Sequence, residues 1–338
     1  MRRVCSILIL VVLIAIPFAG AEDDDGVMGV WQGSFLTGDW QDKAFSSQII
    51  AQGPMEGAER WRMILLIGDW QKPDAKAEIE GVRAQPDAKT VQFGGEVDLG
   101  EAFGGSYRVA AELVDGTISG KMNGKGKPVE FKLQRVEIKP PTLGQAPPDG
   151  AVVLMDGTNL DAWERYPLKW SLLGNGATQV TGSNFKTIDE FGSGLWHVEF
   201  MSPFMPDERG QGRGNSGVYV LGRYEVQVLD SFGLDPADNL CGGIYKMAVP
   251  RVNACLPPLT WQTYDITFST AQFDASGNKT ANARITVIHN GVLIHDDVEL
   301  ANPTPGGVSG EDAATGPMLF QDHSDAVQFR NVWFVPAD

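Results

Sequence analysis

Between Val27 and Val136 the chain is cut into short alternating runs, and no helical period of useful length interrupts them. The runs are Trp31–Phe35, Ser47–Gln52, Arg60–Ile67, Ala77–Ala84, Thr90–Val97, Tyr107–Val114, Thr117–Met122 and Val129–Val136. A strand turns successive side chains to opposite faces, so this alternation reads as strands with one face in a core. Asp115-Gly116 and Asn123-Gly124 supply hairpin turns between neighbours. Short, evenly spaced strands of this kind close into an antiparallel barrel or sandwich. Its tryptophans Trp31, Trp40, Trp61 and Trp70 read as core residues more readily than as sugar platforms, and the segment is assigned no chemistry.

Lys139–Gly150 (KPPTLGQAPPDG) carries four prolines and reads as a semi-rigid linker. At the other end, Met1–Ala21 has the form of a secretory leader: Arg2 and Arg3, the apolar Ile7–Ile16, then Ala19-Gly20-Ala21. The apolar run is too short to span a membrane as a helix. The organisation expected is therefore a leader over 1–21, a small β domain over 27–138, a linker over 139–150 and a second domain over 151–338. The mature protein is expected to be periplasmic or extracellular, with no transmembrane segment.

The net charge of −16 disfavours a nucleic-acid partner, since phosphates would be repelled. Export would leave Cys241 and Cys255 in an oxidising compartment, where a disulfide is expected. It would close a loop of about 15 residues, worth about 3 kcal/mol.

The second half centres on Gly214–Asp230, GNSGVYVLGRYEVQVLD. In it Tyr224, Val226 and Val228 alternate with Arg223, Glu225 and Gln227, so three polar side chains share the face away from the core. The glycines of Arg209–Gly217 allow positive φ and close approach of a ligand. A second strand, Leu195–Phe200, puts Trp196, Val198 and Phe200 on one side and His197 and Glu199 on the other. A His and a Glu two apart on a strand suit general acid–base work, or an ordinary solvated face. Asn290-Gly291 marks a hairpin whose His289 and His295 read as structural or solvated rather than catalytic.

Seven motifs in order, MDGTNLDAW, LWHVEF, GNSGVYVLGRYEVQVLD, CGGIYK, WQTYDI, HNGVLI and QDHSDAVQFRNVWF, resemble the 3-keto-disaccharide hydrolase family over about residues 151–336. The resemblance implies an all-β chain, with a concanavalin-like jelly-roll sandwich following the smaller antiparallel β domain. It also implies cleavage of glycosides that carry a ketone at C3. One departure is Ser324, where the family usually has Gly.

The chemistry needs a base for the C2 proton, an acid for the leaving oxygen and donors for an enolate. Glu225, His323 and Glu199 are the candidate acids and bases. Candidate substrate-binding groups are His197, Arg213, Asn215, Tyr219, Arg223, Gln227, Asp230, Tyr245, Lys246, Gln321 and Arg330. Parity places His197, Glu199, Arg223, Glu225, Gln227, Gln321 and His323 on one expected groove. No cofactor is evident. A divalent metal among Glu199, Asp230 and His323 stays open, without dense ligand spacing to support it. Two other readings stand beside the hydrolase: a non-catalytic, lectin-like glycan-binding module, and a two-carboxylate β-glucanase using Glu225-x-Gln227-x-x-Asp230. The second needs both carboxylates on one face, and Asp230 lies five residues from Glu225.

Overall fold

The computed structural model describes residues 26–83, 88–164 and 170–337, and the expected leader lies outside them. Eight strands form a closed antiparallel barrel in simple up-and-down order: Gly29–Phe35, Phe45–Ala51, Glu59–Asp69, Lys72–Arg83, Val91–Asp98, Ser106–Val114, Thr117–Asn123 and Val129–Val136. The first strand pairs with the last, which leaves no free edge. Asp115 and Gly116 both take positive φ, the geometry of a tight hairpin whose twist matches the strands. Trp31, Trp40 and Trp61 are buried in the barrel core; Trp70 is exposed.

The second half is a two-layered sandwich. One sheet has seven strands, among them Val152–Met155, Gly194–Met201, Gln262–Ser269, Ala283–His289, Val292–Leu300 and Gln328–Pro336. The other has four, Phe185–Lys186, Leu319–Phe320, Ser216–Val220 and Tyr224–Val228, which do not pair in chain order. Trp196, Val198 and Phe200 of the first meet Val218, Val220, Tyr224, Val226 and Val228 of the second in one apolar core. The hydroxyl of Tyr264 crosses the layers to donate to the carbonyl of Gln227, 2.7 Å away. Asn290 and Gly291 make the expected hairpin with φ of 53° and 81°. His289 and His295 are buried: Nε2 of His289 lies 3.0 Å from Gln262 Oε1, and Nε2 of His295 lies 2.7 Å from the Gly242 carbonyl.

Residues 139–150, expected as a semi-rigid linker, are hydrogen-bonded to the sandwich. Thr142 Oγ1 donates to Asp265 Oδ2 (2.7 Å), the Gly144 N–H donates to Glu199 Oε1 (2.5 Å), and Asn331 Nδ2 donates to the Gln145 carbonyl (3.0 Å). The barrel also packs directly on the sandwich. Ile50, Ile64 and Leu66, from its outer surface, belong to the same apolar cluster as Phe232, Leu229 and Cys255.

Candidate active site

Two polar centres emerge where one groove was expected. Strand parity correctly turns His197, Glu199, Glu225 and Gln227 away from the apolar core. They belong to different sheets, however, and parity carries no information on which sheet a strand joins.

The first centre lies on the seven-stranded sheet beneath residues 142–145. His197 Nδ1 is 2.6 Å from Asp265 Oδ1, Nε2 is 3.6 Å from Glu199 Oε1, and the ring stacks on Trp333 at 4.8 Å. Glu199 also accepts from Arg330 Nε (2.7 Å) and Asn331 Nδ2 (2.8 Å). The Arg330 guanidinium sits 4.0 Å from the centre of the Trp261 ring. Burial alone would raise the Glu199 carboxyl; the donors outweigh it and hold it at about 2. Burial likewise disfavours charge on His197, but Asp265 and Glu199 together raise its pKa above the ordinary value. Both ring nitrogens of His197 and both carboxylate oxygens of Glu199 meet partners, the Gly144 N–H among them, so this centre fastens the linker.

The second centre is on the four-stranded sheet. Tyr219 and Glu225 are register partners on adjacent strands, and Tyr219 Oη donates to Glu225 Oε2 at 2.7 Å. Gln321 Nε2 donates to that same hydroxyl (3.2 Å), and the Pro305 carbonyl lies 3.0 Å from it. Thr304 Oγ1 accepts from the Glu225 N–H (2.9 Å), tying the Thr304–Gly307 loop over the face. Two features make room. A Cβ on Gly217 would overlap the Glu225 carboxylate, and one on Gly306 would come within 2.7 Å of Tyr219 Oη. Glu225 is 1% exposed. Burial pushes its carboxyl up to about 7, only partly offset by the Tyr219 hydrogen bond. Burial and the neighbouring carboxylate raise Tyr219 far above an ordinary phenol, so it stays protonated.

Carboxamides extend this centre. Gln227 Nε2 donates to Gln211 Oε1 (3.1 Å), Asn215 Nδ2 donates to the Gln211 carbonyl (2.7 Å), and Gln211 Nε2 donates to the Asn239 carbonyl (2.7 Å). The side-chain oxygens of Gln227 and Asn215 are buried without a protein donor. Tyr245 is half-buried at the rim, its N–H bonded to the Glu225 carbonyl (3.1 Å), with the exposed Lys246 over its ring. His323 is exposed beside Asp325, whose carboxylate accepts from the Asn215 N–H (2.7 Å). Ser324 takes φ of 71°, a left-handed geometry that glycine adopts more readily.

Other expected members are held elsewhere. Arg213 Nε donates to Asp230 Oδ2 (2.6 Å) in a buried pair, which occupies both side chains and leaves Asp230 outside any carboxylate pair with Glu225. Arg223 donates to the carbonyls of Glu311 and Leu221. Among the described residues no cluster of three or more His, Cys, Asp or Glu could hold a metal ion. Glu199, Asp230 and His323 form no such cluster.

The expected disulfide is corrected too. Cys241 and Cys255 are free, buried thiols. Each sulfur meets an oxygen: Cys241 Sγ lies 3.3 Å from Tyr264 Oη, and Cys255 Sγ donates to the Leu256 carbonyl at 3.3 Å.

Gln211, Thr304 and the Pro305-Gly306 turn were not singled out by sequence. Gln211 sits within the glycine-rich approach, but its partners Asn239 and Gln227 are 28 and 16 residues away.

This all-β sandwich, with its buried carboxylic acid and its similarity to candidate glycosyl hydrolases, falls in a carbohydrate-active class of protein. Residues 150–335 match the model of the 3-keto-alpha-glucoside-1,2-lyase-like domain, and the chain belongs to that family. It is similar to a crystal structure of a candidate glycosyl hydrolase from Parabacteroides distasonis, with 31% identity and a TM-score of 0.51 over 56% of this chain and 85% of that one. A second candidate glycosyl hydrolase structure from the same organism aligns at 17% identity and a TM-score of 0.43, over 56% of this chain and 95% of that one. No curated protein matches.

Proposed function

We propose that this protein cleaves 3-keto-glucosides by elimination followed by hydration, with Glu225 as the base. The observation that carries this reading is the Glu225–Tyr219 pair: a carboxyl poised near 7 against a phenol that keeps its proton. A base is most useful when its pKa lies near the working pH.

A ketone at C3 acidifies the C2 proton. Glu225 takes that proton, and the electron pair passes into the enolate of the C3 ketone. Collapse of the enolate forms the C1=C2 bond and breaks the bond from C1 to the leaving oxygen, which takes up a proton. Water then adds at C1 of the enone. Tyr219 serves both states of Glu225. It donates to the ionised carboxylate, and once Glu225 is protonated its hydroxyl can accept from the acid and donate to the Pro305 carbonyl. Gln321, Lys246 and Tyr245 lie where an enolate or a leaving oxygen could be met by donors. Since Glu225 is 1% exposed, contact with a sugar requires the Thr304–Gly307 loop to shift.

That same burial favours a second reading, a glycan-binding module whose acid is structural. Incubation with a 3-keto-glucoside and with its unoxidised parent separates the two. Release of the leaving group from the keto sugar alone supports elimination. Binding of either sugar without any release over the uncatalysed rate leaves the module.

A further inference from the structure

Among the described residues no barrel side chain is one of the groups gathered around Glu225, yet the barrel reaches the loop that carries Gln211. We infer that Arg209 is a positioning residue that clamps the Met205–Asn215 loop to the barrel and so holds Gln211 against Gln227. This rests on the reading of Glu225 as the reaction centre.

The loop is poorly equipped to hold itself. It is a single 3₁₀ turn at Gly210–Gly212, entered at Gly210 with φ of 56° and left through Gly214 with φ of 63°. Glycine segments lose the most conformational freedom on ordering, so external contacts must fix them. The barrel supplies these contacts from two consecutive carbonyls at the end of the strand Phe45–Ala51. Arg209 Nη2 donates to the Gln52 carbonyl (2.6 Å) and to Gln52 Oε1 (3.1 Å). Its Nη1 turns back to the carbonyls of Pro206 (2.5 Å) and Glu208 (2.7 Å), so one guanidinium ties the loop to itself and to the barrel. Arg213 repeats the pattern deeper in: Nη1 and Nη2 each reach the Ala51 carbonyl at 3.3 Å while Nε holds Asp230.

Shape agrees with these bonds. Gly53, at φ of 73°, has no room for a Cβ because Asp207 of the loop fills that space. Beneath, Ile50 packs where a Cβ on Gly233 would fall, and Lys76 Nζ pairs with Asp235 at 2.5 Å. The barrel thus seats the rear of the loop, and the loop presents Gln211 forward to Gln227 and Asn215. A misplacement of about 1 Å in such a group costs up to about 10²-fold in rate.

Arg213 is buried and its loss would endanger folding, so the test uses the exposed Arg209 in the full chain. Arg209→Ala should raise amide exchange at 210–215 by about tenfold or more, with Tm within about 2 °C of wild type. The side-chain amide resonances of Gln211 and Gln227 should shift or broaden. With a 3-keto-glucoside, kcat should fall about tenfold, and Arg209→Lys, which can still donate to Gln52, should recover part of it. Unchanged exchange and unchanged Gln211 and Gln227 resonances would overturn the clamp. So would loosened exchange with wild-type kcat. If the wild type itself turns over no keto sugar, the reading of Glu225 fails instead, and exchange and resonances alone judge the clamp.

Discussion

The backbone N–H of Gly144 donates to the carboxylate of Glu199 at 2.5 Å, joining the proline-rich segment to a strand of the sandwich 55 residues later. Glu199 keeps its charge because four donors converge on it, and removing the charge removes the reason for the segment to stay seated. Glu199→Gln should therefore expose residues 142–150 to protease while the sandwich stays folded. The rate of first cleavage measures this, and a rate equal to wild type would contradict the role given to Glu199.

The same network fixes a pH window. The Glu199 pKa is depressed to about 2, so its contribution is complete above the ordinary glutamate range and is lost as pH falls from about 4.5 toward 2. The His197 pKa is raised, so its contribution is complete below about 6.5 and is lost as pH climbs through the raised value. Attachment of the linker should be firmest between these limits, near pH 5–6. Cleavage within 142–150 should be slowest there and faster at pH 3 and at pH 9.

Gly217 sits where a β-carbon would overlap the Glu225 carboxylate, although its own backbone needs no glycine-only φ. Gly217→Ala should cost about 1–3 kcal/mol through overpacking and push Glu225 off Tyr219. Urea titration gives the first quantity. The pH dependence of the variant gives the second, because the displaced carboxyl should titrate closer to its ordinary value.

What was legible in the sequence was local. The barrel strands announced themselves by alternation, and the hairpins at Asp115-Gly116 and Asn290-Gly291 by turn chemistry that acts over two residues. The outward direction of His197, Glu199, Glu225 and Gln227 was equally legible, since it depends only on period two. Whether outward meant solvent, linker or loop depended on partners far along the chain. Glu199 meets Gly144, and Glu225 lies under Thr304. That the linker would be bonded to the sandwich was not legible, because those bonds run through backbone N–H and C=O groups and one threonine, which composition does not single out. Arg213 and Asp230 were read as ligands for substrate because nothing in a sequence says that two such charges meet each other first.

The cysteines test a compartment argument against a geometric one. Both thiols are buried and free, and each meets an oxygen. In the protein without residues 1–21, which carry Cys5, alkylation in denaturant without reductant should add two groups to the intact mass, and alkylation of the native protein none. A mass showing no added group after denaturation would mean that the pair had oxidised.

The sharpest prediction concerns Glu225 itself, because burial gives its carboxyl opposite effects on stability and on chemistry. Its folded pKa, about 7, lies above the unfolded value, so the folded state binds the extra proton between about pH 4.5 and 7. Wild-type stability should then decline as pH rises through that window, by about 3 kcal/mol if the whole shift is expressed. Glu225→Gln keeps the size and the contact with Tyr219 but cannot ionise, so its stability should be flat there and should exceed wild type at pH 8. Activity should move the other way. If the ionised carboxylate takes the C2 proton, wild-type kcat/KM should rise with pH through about 7, and Glu225→Gln should lose about 10²-fold or more at pH 8 while still binding the keto sugar. Tyr219→Phe removes the donor to the ionised carboxylate, so the rising limb should move to higher pH. A Glu225→Gln protein that is more stable at pH 8 and equally active would keep the buried acid and place the base elsewhere, with His323 the exposed candidate that remains.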